Sequence, residues 1–343
     1  MHDRAWPIYR SLILGAALGV ATACSEKQFS REVPPPCNGF NQTCTVNPEG
    51  NNEFNYVVTT EEAMPQKKVD LLFVVDNSDS MRPEQQKMAD RFSTFVNSLS
   101  GIDWRIAITT TDLRRDQGTA LAFGSPSRVI LQSGEGDADQ LFRQTIQRPE
   151  VGDGDERGIF ASILFFEKQG LQFVRKDSHL SVVVLSDEDE RSTGGVDRPL
   201  EANDQPDTYV SKVRELFGPT KTNTFHSIVI RPGDSACLAA QSAQAKKGFE
   251  GKVYAQLTQK TSGILGDICA NDYGSQLASV GQTIQRQMAA MNLACAPIDG
   301  RIDVSLTPEV PGITWSLQGS QLILSEPLPP GTCISVRYAC LRD

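Results

Sequence analysis

Residues 70–81, DLLFVVDNSDSM, constrain the fold of this chain more than any other stretch. Leu71 to Val75 is apolar at every position. A strand without a polar face is one covered on both sides, as in a sheet layered between helices. The apolar run ends at Asp76-Asn77-Ser78-Asp79-Ser80, a D-x-S-x-S turn, and helix-forming sequence follows. One tight turn therefore carries a carboxylate and two hydroxyls. All are hard oxygen donors of the kind a small divalent cation takes.

The same pattern recurs along residues 66–293, where apolar strands alternate with amphipathic helices. This is the signature of an α/β fold, a doubly wound and mostly parallel sheet with helices on both faces. Strands are expected at Val69–Val75, Trp104–Thr110, Val129–Leu131, Leu180–Leu185 and Phe225–Ile230. Pro83 suits the first turn of a helix whose stripe is Met88, Phe92, Phe95, Val96 and Leu99. Further helices are expected over residues 157–169, Tyr209–Phe217 and around Leu277, Val280, Ile284 and Met288. From Cys295 onward, short strands separated by Pro and Gly turns (Ile302–Leu306, Ile313–Leu317, Gln321–Leu324, Cys333–Tyr338) read as a small β-sandwich-like module, residues 294–343, with Trp315 in its core.

In open α/β sheets, ligands bind outside the carboxyl ends of the strands. The turns Asp76–Ser80 and Ser186-Asp187-Glu188-Asp189 both fall at such ends, so two distant segments converge on one edge. With D-x-S-x-S after an apolar strand and Asp187 after a matching one, residues 66–293 resemble the von Willebrand factor type A family. In that family the motif is the core of the metal-ion-dependent adhesion site. The resemblance implies that Ser78 and Ser80 ligate the cation directly, that Asp76 acts through water, and that Asp187 comes from the fourth strand. The family's second loop supplies a Thr. Here Gly154-Asp155-Glu156-Arg157-Gly158 puts Glu156 at that place. A carboxylate there still ligates a hard cation, but it adds negative charge and lowers the site's attraction for an acidic partner. Both an open site and one permanently closed by Glu156 follow from this substitution. The expected metal set is Asp76, Ser78, Ser80, Glu156 and Asp187. The serine-rich shell favours Mg²⁺ over Ca²⁺, with Mn²⁺ as the alternative. Asp79, Glu188 and Asp189 are read as solvated or supporting groups, and Asp153 and Asp155 as shaping a polar loop.

Other chemistry finds little purchase. The three histidines, His2, His179 and His226, have no accompanying nucleophile and no H-x-x-x-H spacing, and no G-x-x-x-x-G-K-S/T phosphate loop occurs. The net charge of -9 argues against nucleic-acid binding, which needs a basic footprint.

The N-terminus reads as an export signal over residues 1–23. Arg4 and Arg10 precede the apolar stretch Leu12–Ala23, which is too short to serve as a stable membrane span. Ala21-Thr22-Ala23-Cys24 resembles a bacterial lipobox, which implies lipidation of Cys24. An ordinary secretory signal with an incidental cysteine is the alternative. Ser25 is not the Asp that marks inner-membrane retention, so the expected location is the cell envelope, as an outer-membrane lipoprotein of a Gram-negative bacterium. Residues 24–65, with Pro34-Pro35-Pro36 and Asn-rich stretches, read as the lipidated Cys and its tether. The chain has eight cysteines, and an exported chain forms disulfides. With Cys24 set aside, seven remain and one is left unpaired or bonds another chain. Cys37 with Cys44, Cys237 with Cys269 and Cys295 with Cys340 are the favoured pairs. No C-x-x-C pair points to a cysteine metal site.

These readings give a non-enzymatic envelope lipoprotein that binds a protein or surface ligand through a divalent-cation site. The competing reading is a structural envelope-assembly module whose cation site is closed or only stabilising. An enzyme using the metal as a Lewis acid is the third and weakest reading.

Overall fold

The computed structural model describes residues 43–46, 51–59, 67–148, 152, 154–193, 196–218, 221–243, 248–326, 328–329 and 332–341. The expected signal, Cys24, Cys37 and Asp153 lie outside the described residues. In chain order the elements are strands β1 (Thr43–Val46), β2 (Asn52–Thr59) and β3 (Lys68–Val75), helices α1 (Arg82–Asp90) and α2 (Phe92–Ser98), strands β4 (Asp103–Thr110) and β5 (Leu131–Gln132), and helices α3 (Ala138–Ile146) and α4 (Gly158–Phe173). Then come β6 (His179–Leu185), the short strands β7 (Ser192–Thr193) and β8 (Val196–Asp197), α5 (Pro206–Phe217), β9 (Asn223–Val229), α6 (Ser235–Ser242), α7 (Lys252–Lys260), β10 (Leu265–Asp267) and α8 (Gly274–Gln287). Strands β11 (Ala290–Asn292), β12 (Ile302–Thr307), β13 (Trp315–Gln318), β14 (Gln321–Leu324) and β15 (Cys333–Cys340) end the chain. Among the described residues no helix is long and apolar enough to cross a membrane.

The central sheet has the order β5-β4-β3-β6-β9-β10. All its pairs are parallel except β4 with β5. Counted from its first strand, the order is 3-2-1-4-5-6, the doubly wound arrangement, and its direction reverses between β3 and β6. The alternation along β3 explains the two layers. Val69, Leu71, Phe73 and Val75 pack with Phe92, Phe95, Phe142 and Leu277 on one face. Leu72 and Val74 pack with Ile159, Phe166, Tyr209 and Tyr254 on the other. The third expected strand, Val129–Leu131, appears as the two-residue β5, antiparallel and at the sheet edge.

The segment read as a tether is corrected in part. Residues 43–46 and 52–59 are strands, and they complete the C-terminal module in a sheet ordered β1-β2-β15-β12. Facing it is the sheet β11-β14-β13. Ile302, Ile334, Val336 and Tyr338 of the first sheet and Leu322, Leu324 and Met291 of the second form one apolar core. The Asn-rich composition hid these strands because their partner lies at the other end of the chain. Trp315 is a second correction. It sits on the edge strand β13 and is 43% exposed, so it is not a core residue. The pairs Cys237–Cys269 and Cys295–Cys340 are disulfides as expected, Cys333 is also disulfide-bonded, and no described cysteine is free.

His179 and His226 are core groups. His226 Nδ1 accepts from the Ile264 amide (2.9 Å), so its Nε2–H is left to donate to Thr224 Oγ1 (3.0 Å). His179 lies between Thr222 and Thr224. Burial holds both neutral, His226 with its pKa lowered to about 3. An unfolded histidine titrates near 6.5, so the unfolded chain binds more protons between about pH 6.5 and 3. The histidines' contribution is complete above that window and is lost progressively as pH falls through it. His226→Gln is expected to flatten the fall of urea stability between pH 6.5 and 4.5. An unchanged slope would refute the assignment.

Candidate functional site

The site is built where the sheet order reverses. Strand β3 ends at Val75, and the Asp76 amide donates across to Leu185 O at the end of β6 (3.0 Å), so the two acidic turns leave the sheet side by side. Asp76 organises its own turn. Its Oδ1 accepts from the Ser78 amide (2.8 Å) and its Oδ2 from Ser186 Oγ (2.7 Å). The hydroxyls of Ser78 and Ser80 are 3.0 Å apart, and Ser80 also hydrogen-bonds Asp187. From α1, Gln85 Nε2 donates to Asp76 O (2.8 Å), which fixes the turn against the first helix.

Glu156 arrives from the segment before α4. Its amide donates to Ser192 O (3.2 Å) in an isolated antiparallel bridge, and its carbonyl accepts from the Arg191 amide (2.5 Å). Its side chain is buried with Oε2 accepting from Thr111 Oγ1, while Oε1 has no hydrogen-bond partner. Asp187 Oδ1 is buried and unpartnered in the same way. Burial first, then the Asp76 charge, holds the Glu156 carboxyl well above the usual carboxylate range, against the pull of the Thr111 hydrogen bond. Asp187 is raised by the same two causes in the same order, with Glu188 and Glu84 adding to the repulsion. The structure thus brings Asp76, Ser78, Ser80, Glu156 and Asp187 together.

The acidic run after β6 is divided between two jobs. Asp187 and Glu188 belong to the site, with Glu188 Oε2 accepting from Ser192 Oγ (2.9 Å). The next two residues cap helices. Asp189 accepts from the amides of Val253 (3.0 Å) and Tyr254 in the first turn of α7, and Glu190 accepts from Ile159 (2.8 Å) and Phe160 (3.1 Å) in the first turn of α4. Burial pushes the Asp189 pKa up to about 6 against those donors. Of the two readings for Asp189, solvated or supporting, the structure gives the second, since it is buried. Asp79 is exposed and ion-paired with Arg82 (3.1 Å). Asp155 pairs loosely with Arg198 (3.5 Å).

Residues missed at the sequence level also contribute. Thr111 follows β4, Ser186 follows β6, and Glu84 is buried on α1 with Lys87 (3.5 Å) and Gln241 (3.2 Å) against one of its oxygens. Thr111 and Ser186 stand one residue past the end of a buried strand, a position that was itself the usable signal. Glu84 carried none.

The donor set fits a hard divalent cation. It is all oxygen, it combines carboxylates with hydroxyls, and it contains two buried carboxylate oxygens that nothing else satisfies. The carboxylates do not close on one point by themselves. Among the described residues, no three of them bring oxygens within 4.8 Å of one another, so the serine hydroxyls are needed to complete a shell. The Cys237, Asp267, Cys269 cluster is tighter, but its sulfurs form a disulfide and are not available as thiolates.

No family model matches the sequence, and none of the curated proteins matches it. Among solved structures, the chain is similar to the pilus adhesin SpaC of Lactobacillus rhamnosus GG, at 10% identity and a TM-score of 0.40 over 87% of this chain and 42% of that one. It is also similar to proximal thread matrix protein 1 from the mussel byssus, at 13% identity and 0.34 over 67% of this chain and 48% of that one. Manganese-loaded TRAP protein of Plasmodium vivax matches at 13% identity and 0.33 over 68% and 77%. The chain spans less than half the length of the first two.

Proposed function

We propose that this chain is a non-enzymatic cell-envelope protein of the von Willebrand factor type A kind. It holds Mg²⁺ or Mn²⁺ among Asp76, Ser78, Ser80, Glu156 and Asp187, and it binds a protein or surface ligand. The observation that carries the cation is the pair of buried, unpartnered oxygens on Glu156 and Asp187, beside the two serine hydroxyls at the reversal of the sheet order. Unpaired buried carboxylates are costly, and a cation bound between them removes the cost. The strand order 3-2-1-4-5-6 and the D-x-S-x-S turn at its switch point support the family reading. The non-enzymatic reading rests on the histidines, which are buried, neutral and engaged with threonines remote from the acidic turns. Lipidation at Cys24 and an outer-membrane location remain part of the proposal on the sequence signal alone.

The cation has two ways to serve binding. It can coordinate the ligand directly, or it can hold the edge in shape while contacts are made elsewhere. The burial of Glu156 favours the second. Calorimetric titration of the purified protein with Mg²⁺ and Mn²⁺ tests the site itself. Saturable binding that disappears in Asp76→Ala is expected, and a folded wild-type protein that takes up neither ion would overturn the proposal.

A further inference from the structure

The inference drawn next rests on the cation site just proposed and concerns what that site offers to the outside. We infer that Glu156 closes the cation's coordination shell from within the chain, so that the bound ion presents no position to solvent or to a partner's carboxylate.

Burial is the first ground. Asp76 and Glu156 are fully buried, Asp187 is 2% exposed, Ser78 3% and Ser80 8%. A partner's group reaches a cation only through a gap in the ligand shell, and even Ser80, the most open of these side chains, is buried. The unpartnered Glu156 Oε1 supplies a charged oxygen inside that shell.

The backbone beside the expected ligands is itself tied down. The Gly152 amide donates to Asn77 O (2.9 Å), and a Cβ at Gly152 would sit 2.1 Å from Asn77 Oδ1, so a larger residue would have to displace the Asn77 side chain. On the other side the Phe249 amide donates to Asp187 O (2.9 Å), and Gly251 donates to Ile230 O (2.8 Å). The segment Gly248–Gly251 is therefore strapped across the ends of β6 and β9.

Glu156 is also poorly placed to swing away. Its amide and carbonyl are both engaged by the Arg191–Ser192 segment. Its neighbour Arg157 is held by Asp204 (2.7 Å) and Glu201 (2.8 Å), and Glu201 also pairs with Arg191. Moving the carboxylate out would leave Thr111 Oγ1 buried without its acceptor.

Charge points the same way. Asp76, Glu156, Asp187 and Glu188 lie close enough to repel one another. One divalent cation leaves such a set net negative, which repels a carboxylate from a partner.

Mn²⁺ alone is the probe. Electron paramagnetic resonance reports how much Mn²⁺ is bound, and water-proton relaxation reports whether bound Mn²⁺ exchanges water with the bulk. The expected result is a bound ion with little relaxation enhancement, unchanged by added acetate, and a several-fold higher enhancement in Glu156→Ser. Strong enhancement in the wild-type protein that acetate suppresses would show an open shell and overturn the inference while leaving the site intact. Free Mn²⁺ throughout the titration would overturn the site and the inference with it. The wild-type measurement decides the matter by itself if Glu156→Ser does not fold.

Discussion

Asp70→Ala is expected to cost about 3 kcal/mol of stability, the low end for breaking a buried ion pair, since Arg175 keeps its pairing with Asp103. Asp70 is the one charged residue in the otherwise apolar run of β3 after Lys68, and it is fully buried. Its Oδ1 accepts from Arg175 Nε (2.8 Å), and its Oδ2 accepts from the Arg175 amide (2.6 Å) and from the Ser178 hydroxyl. The guanidinium also donates to the carbonyls of Val69 (3.0 Å) and Asp103 (2.9 Å), and Lys221 Nζ donates to Ser178 O (2.6 Å). One carboxylate therefore gathers β3, the start of β4 and the turn before β6 at the sheet edge opposite the cation site. Alanine would leave Arg175 Nε, on a side chain only 13% exposed, and the Arg175 amide without their acceptor. Urea unfolding of Asp70→Ala and Asp70→Asn checks this. The asparagine keeps one of the two acceptor oxygens and the side-chain volume and should lose less, whereas two equal and small losses would refute the hub.

Asp187→Asn is expected to act in opposite directions with and without metal. In the metal-free protein it removes one of several buried carboxylates that repel one another and gives the unpartnered position a donor. The melting temperature in chelator should rise by a few degrees, as about 1–2 kcal/mol shifts it in a chain of this size. In the wild-type protein, Mg²⁺ at about 100 times its Kd should add ~2.7 kcal/mol, and the variant should lose most of that gain. Scanning calorimetry of both proteins in chelator and in Mg²⁺ reads the four values. A variant less stable in chelator yet still stabilised by Mg²⁺ would mean that Asp187 is not a ligand. The raised carboxyls add a pH sign. A carboxyl raised in the folded state stabilises most below its unfolded pKa, and that contribution is lost as pH rises through the folded value, so the metal-free protein should gain from mild acid at this site.

The sheet was legible in the sequence because its inner strands are apolar on both faces, and such runs have few other uses. Four of the five expected site residues, Asp76, Ser78, Ser80 and Asp187, were found on turns that directly follow those strands, where position and chemistry coincide. Glu156 was reached only through the family resemblance, and its partner Thr111 was not reached although it stands one residue past a buried strand, because a hydroxyl contact 45 residues away gives that position no stated role. The helix-capping roles of Asp189 and Glu190 were not legible for a related reason. An acidic run looks uniform, whereas each carboxylate here is allotted by which helix start lies against it. Trp315 failed differently. Its strand pattern was right, but an edge strand in a small sandwich has too little cover to bury an indole.

The pairing of β2 with β15, Asn52 opposite Cys340 and Thr59 opposite Cys333, sets the order in which the chain can assemble. The layered α/β region is made of neighbouring strand–helix units and can condense while the chain is still emerging during synthesis. The sandwich cannot, because its inner strand β15 follows the whole α/β region in the chain. Closing so long a loop in an unfolded chain carries an entropic cost that grows by about 0.6 kcal/mol per doubling of length, and prior folding of the intervening layer removes most of it. Until then β2 offers an open edge, with Phe54, Tyr56 and Val58 awaiting Tyr338, Val336 and Ile334. The interval between release of the α/β layer and arrival of β15 is therefore when this protein is most exposed to strand exchange with another copy of itself.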